Sequence, residues 1–334
     1  MTPSVSILMA VRNEEKYLET ALASLKRQTL PDWELIVVDD GSQDATPQIL
    51  AETAGSDHRI RPLYRPPEGL VPALNAGLDW CRAPYLARMD GDDIAHPERL
   101  ALQLRHLQEN PDIDLVACGV KAFPHPAVRD GMRDYLNWQN SLLTHEEIVA
   151  DLFVESPFVH PSVMLRHQRL VELGGYHDLG WAEDYDLWLR LAAKGARFDR
   201  LPKTLLFWRE RPKRLTRTAP TCTPEAFLSC KLHHLQQGLL RHTDTVTLWG
   251  AGPEGKRWQR ALQMIGVKVH RWLEVNPRKI GQIIHNTPVE SFESLHPGQD
   301  LVLVTVGNRR GREKIRHWCR TRSLQEGRDF ILVT

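Results

Sequence analysis

Three short stretches of the chain gather carboxylates at spacings suited to chemistry. RMDGDDIAHPERL (88–100) places Asp90, Asp92 and Asp93 around Gly91; VVDDGSQDAT (37–46) places Asp39 and Asp40 against Gly41; WAEDYDLWLRL (181–191) carries Glu183, Asp184 and Asp186. Like charges this close repel one another unless water, a cation or a helix N-terminus relieves them. Asp90 and Asp92 are one residue apart, so at an extended strand end both point to the same side. Such a pair offers hard oxygen ligands for Mg2+ or Mn2+, with positions left open for phosphate oxygens. Asp40 is placed to accept a base N–H or ribose hydroxyls. A plainer use, helix capping, is expected of some of these acids: Asp44 or Ser42 ahead of a helix near Ala45, and Asp93 at the turn or cap before the next helix. For Glu183 and Asp184 the residues leave two readings open, helix stabilisation or deprotonation of an acceptor hydroxyl.

The elements that must position these acids alternate in type. SVSILMAV (4–11) reads as a strand, with Asn13 expected as N-cap of a helix over EEKYLETALASLKRQ. ELIVVDDGS is a strand of the kind buried on both faces of a parallel sheet, followed by a helix over about 45–54. Strands over 59–64 and 85–89 and helices over 70–81 and 97–108 repeat the pattern. This order predicts right-handed crossovers and a mostly parallel sheet whose ligands collect at the strand C-termini. Both acidic turns sit at such ends, on one rim. Strands at 114–119 and 162–166 and a helix over 183–195 follow, in a middle third that reads as less regular.

The whole chain sets bounds. Its 334 residues suggest two domains, and 42% hydrophobic with 25% charged residues mark an ordinary globular protein. Lys and Arg total 43 against 42 acids, so the net charge of +1 gives no argument for nucleic acid. Cys81, Cys118, Cys222, Cys230 and Cys319 are scattered and never spaced as CxxC, which argues against a zinc site or a disulfide framework. VSILMAV is too short for a membrane span and lacks a preceding basic segment, so the expected location is the cytoplasm.

Two further segments stand out. LPKTLLFWRERPKRLTR, with Arg200 before it, carries Arg200, Lys203, Arg209, Arg211, Lys213, Arg214 and Arg217 against one acid, Glu210. It reads as a solvated arm, as a neutraliser of a diphosphate, or as a peripheral contact with an anionic membrane. After TAPTCTP (218–224) and a helix, WGAGPEGKRW places Gly250, Gly252 and Gly255 as GxGxxG between a strand and a helix. Glycines there permit a tight turn and close approach of a phosphate to the helix N-terminus, and Glu274 at the next strand end suits ribose hydroxyls. An accessory nucleotide site and an empty glycine fold are both consistent with these residues.

SILMAVRNEEKYLETALASLKRQTLPDWELIVVDDGSQDAT, RMDGDDIAHPERL, FVHPSVMLR and GWAEDYDLWLRLAAKG stand in the order and spacing of the family 2 glycosyltransferases, and the chain resembles that family over about residues 4–215. The resemblance implies an α/β GT-A nucleotide-diphospho-sugar transferase domain over 1–217; the residues beyond it read as a linker and connecting helix over 218–243 and a smaller Rossmann-like α/β domain over 244–334. It implies a nucleotide-sugar donor (UDP by prior), a carbohydrate or lipid-linked acceptor, and inverting transfer. Ala10, Arg12, Glu14 and Asp40 would bind the nucleoside, Asp90 would approach the ribose, Asp92 with Asp90 would hold the divalent metal, and Asp184 would be the general base with Glu183 beside it.

The chain departs from the family at two points. QxxRW and membrane spans, the marks of processive synthases, are absent, which argues for transfer of single sugars. No His stands in FWRERPKRLTR, where related enzymes often complete metal binding; an arginine contacts the diphosphate instead, or the metal has fewer protein ligands, with His160 of FVHPS an alternative polar contributor. Two rival functions remain: a non-catalytic nucleotide-sugar binder or scaffold, and a nicotinamide-dependent enzyme centred on the C-terminal unit.

Overall fold

The apolar runs VSILMAV and WELIVVDD become β1 (Val5–Val11) and β2 (Trp33–Asp40), buried along nearly their whole length as strands covered on both faces must be. The chain then runs through α1 (Leu18–Lys26), α2 (Thr46–Ser56), β3 (Ile60–Arg65), α3 (Leu70–Leu78), β4 (Tyr85–Arg88), β5 (Ile94–Ala95), α4 (Arg99–Glu109) and β6 (Leu115–Phe123). It continues with α5 (Asp130–Ser141), α6 (His145–Ala150), β7 (Val163–Arg166), α7 (His167–Glu172), α8 (Glu183–Ala193), β8 (Phe198–Arg209) and α9 (Leu215–Thr218). These elements come from a computed structural model that describes residues 2–212 and 214–334. The chain divides into two compact units, Met1–Ile148 with Pro157–Cys222, and Val149–Ser156 with Thr223–Thr334. Among the described residues no helix is long and apolar enough to cross a membrane.

The sheet of the first unit has the order β3-β2-β1-β4-β7-β6-β8-β5. β3, β2, β1 and β4 are mutually parallel, β7 is antiparallel to both β4 and β6, and β8 runs parallel to β6. This largely parallel arrangement, with β7 reversed, is the one the GT-A resemblance leads one to expect. Leu18, Leu22 and Leu25 of α1 share one apolar core with Met9, Val37, Leu104 and Leu206. The parallel strands carry Val11, Asp40 and the turn after Arg88 to the same rim.

Several expected elements differ. Asn13 does not cap α1, which starts at Leu18 without a side-chain cap. It adopts φ of 55°, its N–H donates to Ser42 Oγ at 2.9 Å, and its Oδ1 accepts from Gln43 N at 2.8 Å. The short polar side chain that suits a cap also suits the left-handed region, and here it ties two loops together. Asp44 does serve the start of α2, accepting from Thr46 N at 2.9 Å, whereas Ser42 is held by Asp39. The segment read as irregular contains α5 and α6, and residues 200–209 of the basic stretch lie in β8, a strand inside the sheet.

The second unit comprises α10 (Pro224–Gln237), β9 (Thr245–Trp249), α11 (Pro253–Met264), β10 (Lys268–Glu274), β11 (Ile283–Ile284), β12 (Thr287–Ser291), β13 (Val302–Val304), α12 (Arg309–Thr321) and β14 (Phe330–Leu332). Its sheet runs β11-β12-β10-β9-β13-β14, parallel except at β11. Strand order reverses between β9 and β13, beside the Gly250–Gly252 turn. A Cβ at Gly255 would lie 2.1 Å from the Gly250 carbonyl oxygen, so glycine is what lets α11 pack this close to the turn.

Candidate active site

β4 delivers the acidic turn through a buried arginine. Arg88 is 2% exposed, and its guanidinium lies 2.7 Å from Asp90 Oδ1. Gly91 lies against the end of β1, where a Cβ would come 2.6 Å from Val11 Cγ1. Asp93 does not cap α4, whose N-cap is Glu98; instead its Oδ1 accepts from Arg209 N at 2.7 Å. Arg209 Nε also donates to the Asp92 carbonyl at 2.6 Å, and its guanidinium stands 4.5 Å from both the Tyr17 and the Phe123 ring centroids. The end of β8 therefore clamps the turn from outside its own sequence neighbourhood.

The three carboxylates offer oxygens that all lie within 4.8 Å of one another. Burial works to raise Asp90, but the Arg88 guanidinium, with His160 and Arg214, outweighs it and holds this carboxyl below the usual range. Asp92 is pushed up by burial and by the Asp90 charge, and Asp93 well up by burial and by both neighbours. Oδ2 of Asp93 is buried with no hydrogen-bond partner among the described residues. Hard oxygens, mutual repulsion and an orphaned carboxylate oxygen are what a divalent cation relieves, so these residues fit Mg2+ or Mn2+.

Across the rim, α8 starts at Glu183 and sets Glu183 and Asp184 in its first turn. Asp184 Oδ1 accepts from Tyr185 N at 2.7 Å. Burial, then the Glu183 charge, pushes its carboxyl up to about 8. Glu183 is held down, against burial, by His160, whose Nδ1 is 3.4 Å away. Asp90 and Arg88 are both close enough to act on Asp184, which brings the acidic stretches at 88–100 and 181–191 into one electrostatic field. Asp186 is set apart from that pair: it is fully buried, accepts from Trp181 Nε1 at 3.2 Å and pairs with Arg190 at 2.6 Å, a structural role.

At the end of β2, Asp40 Oδ1 accepts from Glu68 N at 2.7 Å and Gly69 N at 3.1 Å, and Arg12 lies 3.7 Å from its Oδ2. Ala10 is half-buried near the end of β1, beside β2 in register with Val38. Glu14 is raised to about 7 by burial, with Arg211 opposing, and its Oε1 accepts a hydrogen bond from the Arg211 guanidinium. Ala10, Arg12, Glu14 and Asp40 thus cluster at the ends of β1 and β2.

Residues 6–174, half of the chain, match the family described as Glycosyl transferase family 2. The chain belongs to that family. An O-antigen biosynthesis glycosyltransferase of Escherichia coli is 29% identical over 246 residues, which cover 72% of this chain and 91% of the relative. Among solved structures, S. aureus TarS with UDP-GlcNAc gives a TM-score of 0.54 at 21% identity, covering 71% of this chain and 67% of that one. The mannosyltransferase PcManGT from Pyrobaculum calidifontis, with GDP-Man and Mn2+, gives 0.52 at 20% identity, covering 80% and 70%. At these identities the structural likeness is one of fold.

In this family 2 glycosyltransferase the basic stretch is largely engaged within its own unit. Arg200 is buried and donates to the Pro157 carbonyl at 2.5 Å; Arg217 and Arg214 lie 2.9 Å and 3.8 Å from Glu210; Lys203 lies 2.5 Å from Glu98. Lys213 lies outside the described residues. In the second unit, Gly250, Gly252 and Gly255 surround the turn after β9, while Glu274 accepts from Val275 N and pairs with Lys279 at 3.0 Å. Arg88 and Tyr176 carry no role in the sequence reading, and Arg209 appears there only as one cation of the basic stretch. The one signal for Arg88 was a cation inside the apolar run YLARM.

Proposed function

We propose that this glycosyltransferase moves a single sugar from a nucleotide-diphosphosugar to a hydroxyl of a cell-surface glycan or glycolipid precursor, with inversion at the anomeric carbon. The observation that carries this reading is the Arg88–Asp90 pair standing within electrostatic reach of Glu183–Asp184, which gives one site both a diphosphate end and a base. An O-antigen relative and structural neighbours holding UDP-GlcNAc or GDP-Man support the donor and product classes.

Asp184, once ionised, takes the acceptor O–H proton as the new glycosidic bond forms, because a neutral hydroxyl is a poor nucleophile. Glu183, fixed by His160, stays charged beside it and raises its basicity. Asp92 with Asp90 would hold Mg2+ or Mn2+, which when bound neutralises charge on the departing diphosphate. Arg88 keeps Asp90 ionised for that task. Asp40, Arg12, Glu14 and Ala10 line the nucleoside end. In the second unit, the turn at Gly250 and Gly252, with Gly255 and Glu274, is proposed as an accessory nucleotide site, supported by the reversal of strand order beside it.

The test is Asp184→Asn. Transfer falls about 100-fold or more, while thermal stabilisation by the donor nucleotide persists. A variant that still transfers sugar at the wild-type rate removes Asp184 as the base.

A further inference from the structure

The acidic turn already faces a cation, one that belongs to the chain. Arg211 follows β8, and its position is set by Glu210, whose N–H donates to the Phe123 carbonyl at 2.7 Å and whose carboxylate is held by Arg217 at 2.9 Å. From there the Arg211 guanidinium reaches between two elements: Nε lies 2.8 Å from Asp92 Oδ2, and the terminal nitrogen bonds Glu14 Oε1. Asp92, with Asp90, is the carboxylate assigned above to the metal, and the inference rests on that reading.

Arg211 is held differently from Arg88 and Arg209, the two arginines that fix the acidic turn. Arg88 is sealed in the sheet at 2% exposure, and Arg209 is fixed between two rings with its Nε on a backbone carbonyl. The Arg211 side chain is 27% exposed, and its Nε contact is an ion pair without hydrogen-bond alignment. It also leaves acceptor capacity unused: Glu14 Oε2 and Asp93 Oδ2 are both buried without a partner among the described residues.

We propose that Arg211 is an internal counter-ion that occupies the metal's carboxylate and must withdraw from Asp92 when a divalent cation enters. A planar, singly charged guanidinium neutralises Asp92 but does not supply the compact positive charge that several hard oxygens can share. Guanidinium and metal repel each other, so one oxygen pair does not hold both. Metal binding to the free enzyme therefore competes with an intramolecular ion pair and is weaker than the cluster of acids alone would give. The same contact keeps the acids compensated while the site is empty of metal.

The experiment is a Mn2+ titration followed by the EPR signal of free Mn2+, with no nucleotide present, on the full chain. Arg211→Gln is expected to bind Mn2+ about tenfold more tightly than wild type, a typical coupling between two ligands of one site. Arg211→Lys keeps a cation and is expected to remain close to wild type, and Asp92→Asn is expected to lose the site in both backgrounds. Mn2+ affinity in Arg211→Gln that equals or falls below wild type overturns the proposal, as does an Arg211→Lys variant as tight as the Gln variant. If Asp92→Asn binds Mn2+ like wild type, the metal assignment itself is what fails.

Discussion

Nδ1 of His160 lies 3.4 Å from Oε1 of Glu183, and Nε2 of the same ring lies 3.1 Å from the Tyr176 hydroxyl. Burial, aided by Arg88, lowers the His160 pKa below its ordinary value, which favours the neutral ring. One tautomer satisfies both contacts: Nδ1–H donates to Glu183, and Nε2 accepts from the tyrosine O–H. Burial also pushes the Tyr176 hydroxyl up, which keeps it protonated as that donor. The ring thereby steadies Glu183 as a carboxylate next to Asp184.

The rate should carry this arrangement as a pH dependence. With Asp184 raised to about 8, its base form grows as pH rises, so kcat/KM should climb on the acid side through that region. Burial is the larger cause and Glu183 the second, so Glu183→Gln should move the acid limb to lower pH without restoring an ordinary carboxylate value. An acid limb that stays in place in the variant contradicts the assignment.

Stability should depend on the same group with the opposite sense. The folded-state pKa of Asp184 lies above its ordinary value of 3.8, so the folded chain binds more protons and is destabilised as pH rises between the two. Asp184→Asn removes that penalty. Its melting temperature should exceed the wild type by a margin that widens from about pH 4 to about pH 8 and then levels off. A margin constant across that range would show that the carboxyl is not raised.

Asp92→Asn tests the metal assignment at the level of substrate. Wild-type transfer should fall on EDTA treatment and return with Mn2+ or Mg2+, whereas the variant should lose about 100-fold or more of its activity and respond to neither. Full activity in EDTA, or a variant still rescued by Mn2+, would place the metal elsewhere or nowhere.

Two glycines of the second unit should separate packing from binding. A Cβ at Gly255 meets the Gly250 carbonyl oxygen at 2.1 Å and Trp272 at 2.8 Å, so Gly255→Ala should cost about 1–3 kcal/mol in chemical denaturation. A Cβ at Gly252 meets nothing within 4 Å, so Gly252→Ala should melt like wild type. If the turn takes a nucleotide, calorimetry of the full chain with UDP, ATP and NAD should show a second binding event that Gly252→Ala weakens. A titration with one event in both proteins argues for an empty turn.

What could be read from the residues depended on how local the cause was. β1 and β2 announce themselves because their apolar runs are nearly uninterrupted, and Asp90 and Asp92 because two acids one residue apart at a strand end exceed what a cap needs; Asp184 stands out only through the family resemblance, since an acid at a helix start also serves the helix dipole. β8 was hidden because Pro202 and Lys203 interrupt its pattern and its pairing with β6 shifts register at Gly119. Asn13 misled because one side chain serves equally as cap or loop tie, and only the φ of 55° decides. The acids were legible, but their counter-charges were not: Arg209 meets Asp93, and Arg211 meets Glu14 and Asp92, over more than a hundred residues of sequence. Nothing in a linear pattern states which arginine of a basic stretch closes on which acid.

The bond from Arg209 N to Asp93 Oδ1 spans 116 positions, and this has a consequence for how the enzyme comes into being. A chain made from its N-terminus releases the acidic turn long before the strand that clamps it, and the matched family segment ends at residue 174, short of that strand. A nascent or truncated chain can therefore hold every recognisable acid and still lack a finished catalytic rim. The rim is completed only with β8, the last strand of the first unit, so a chain stopped between Asp186 and Phe198 would hold every acid of the three stretches and still lack the clamp on Asp93.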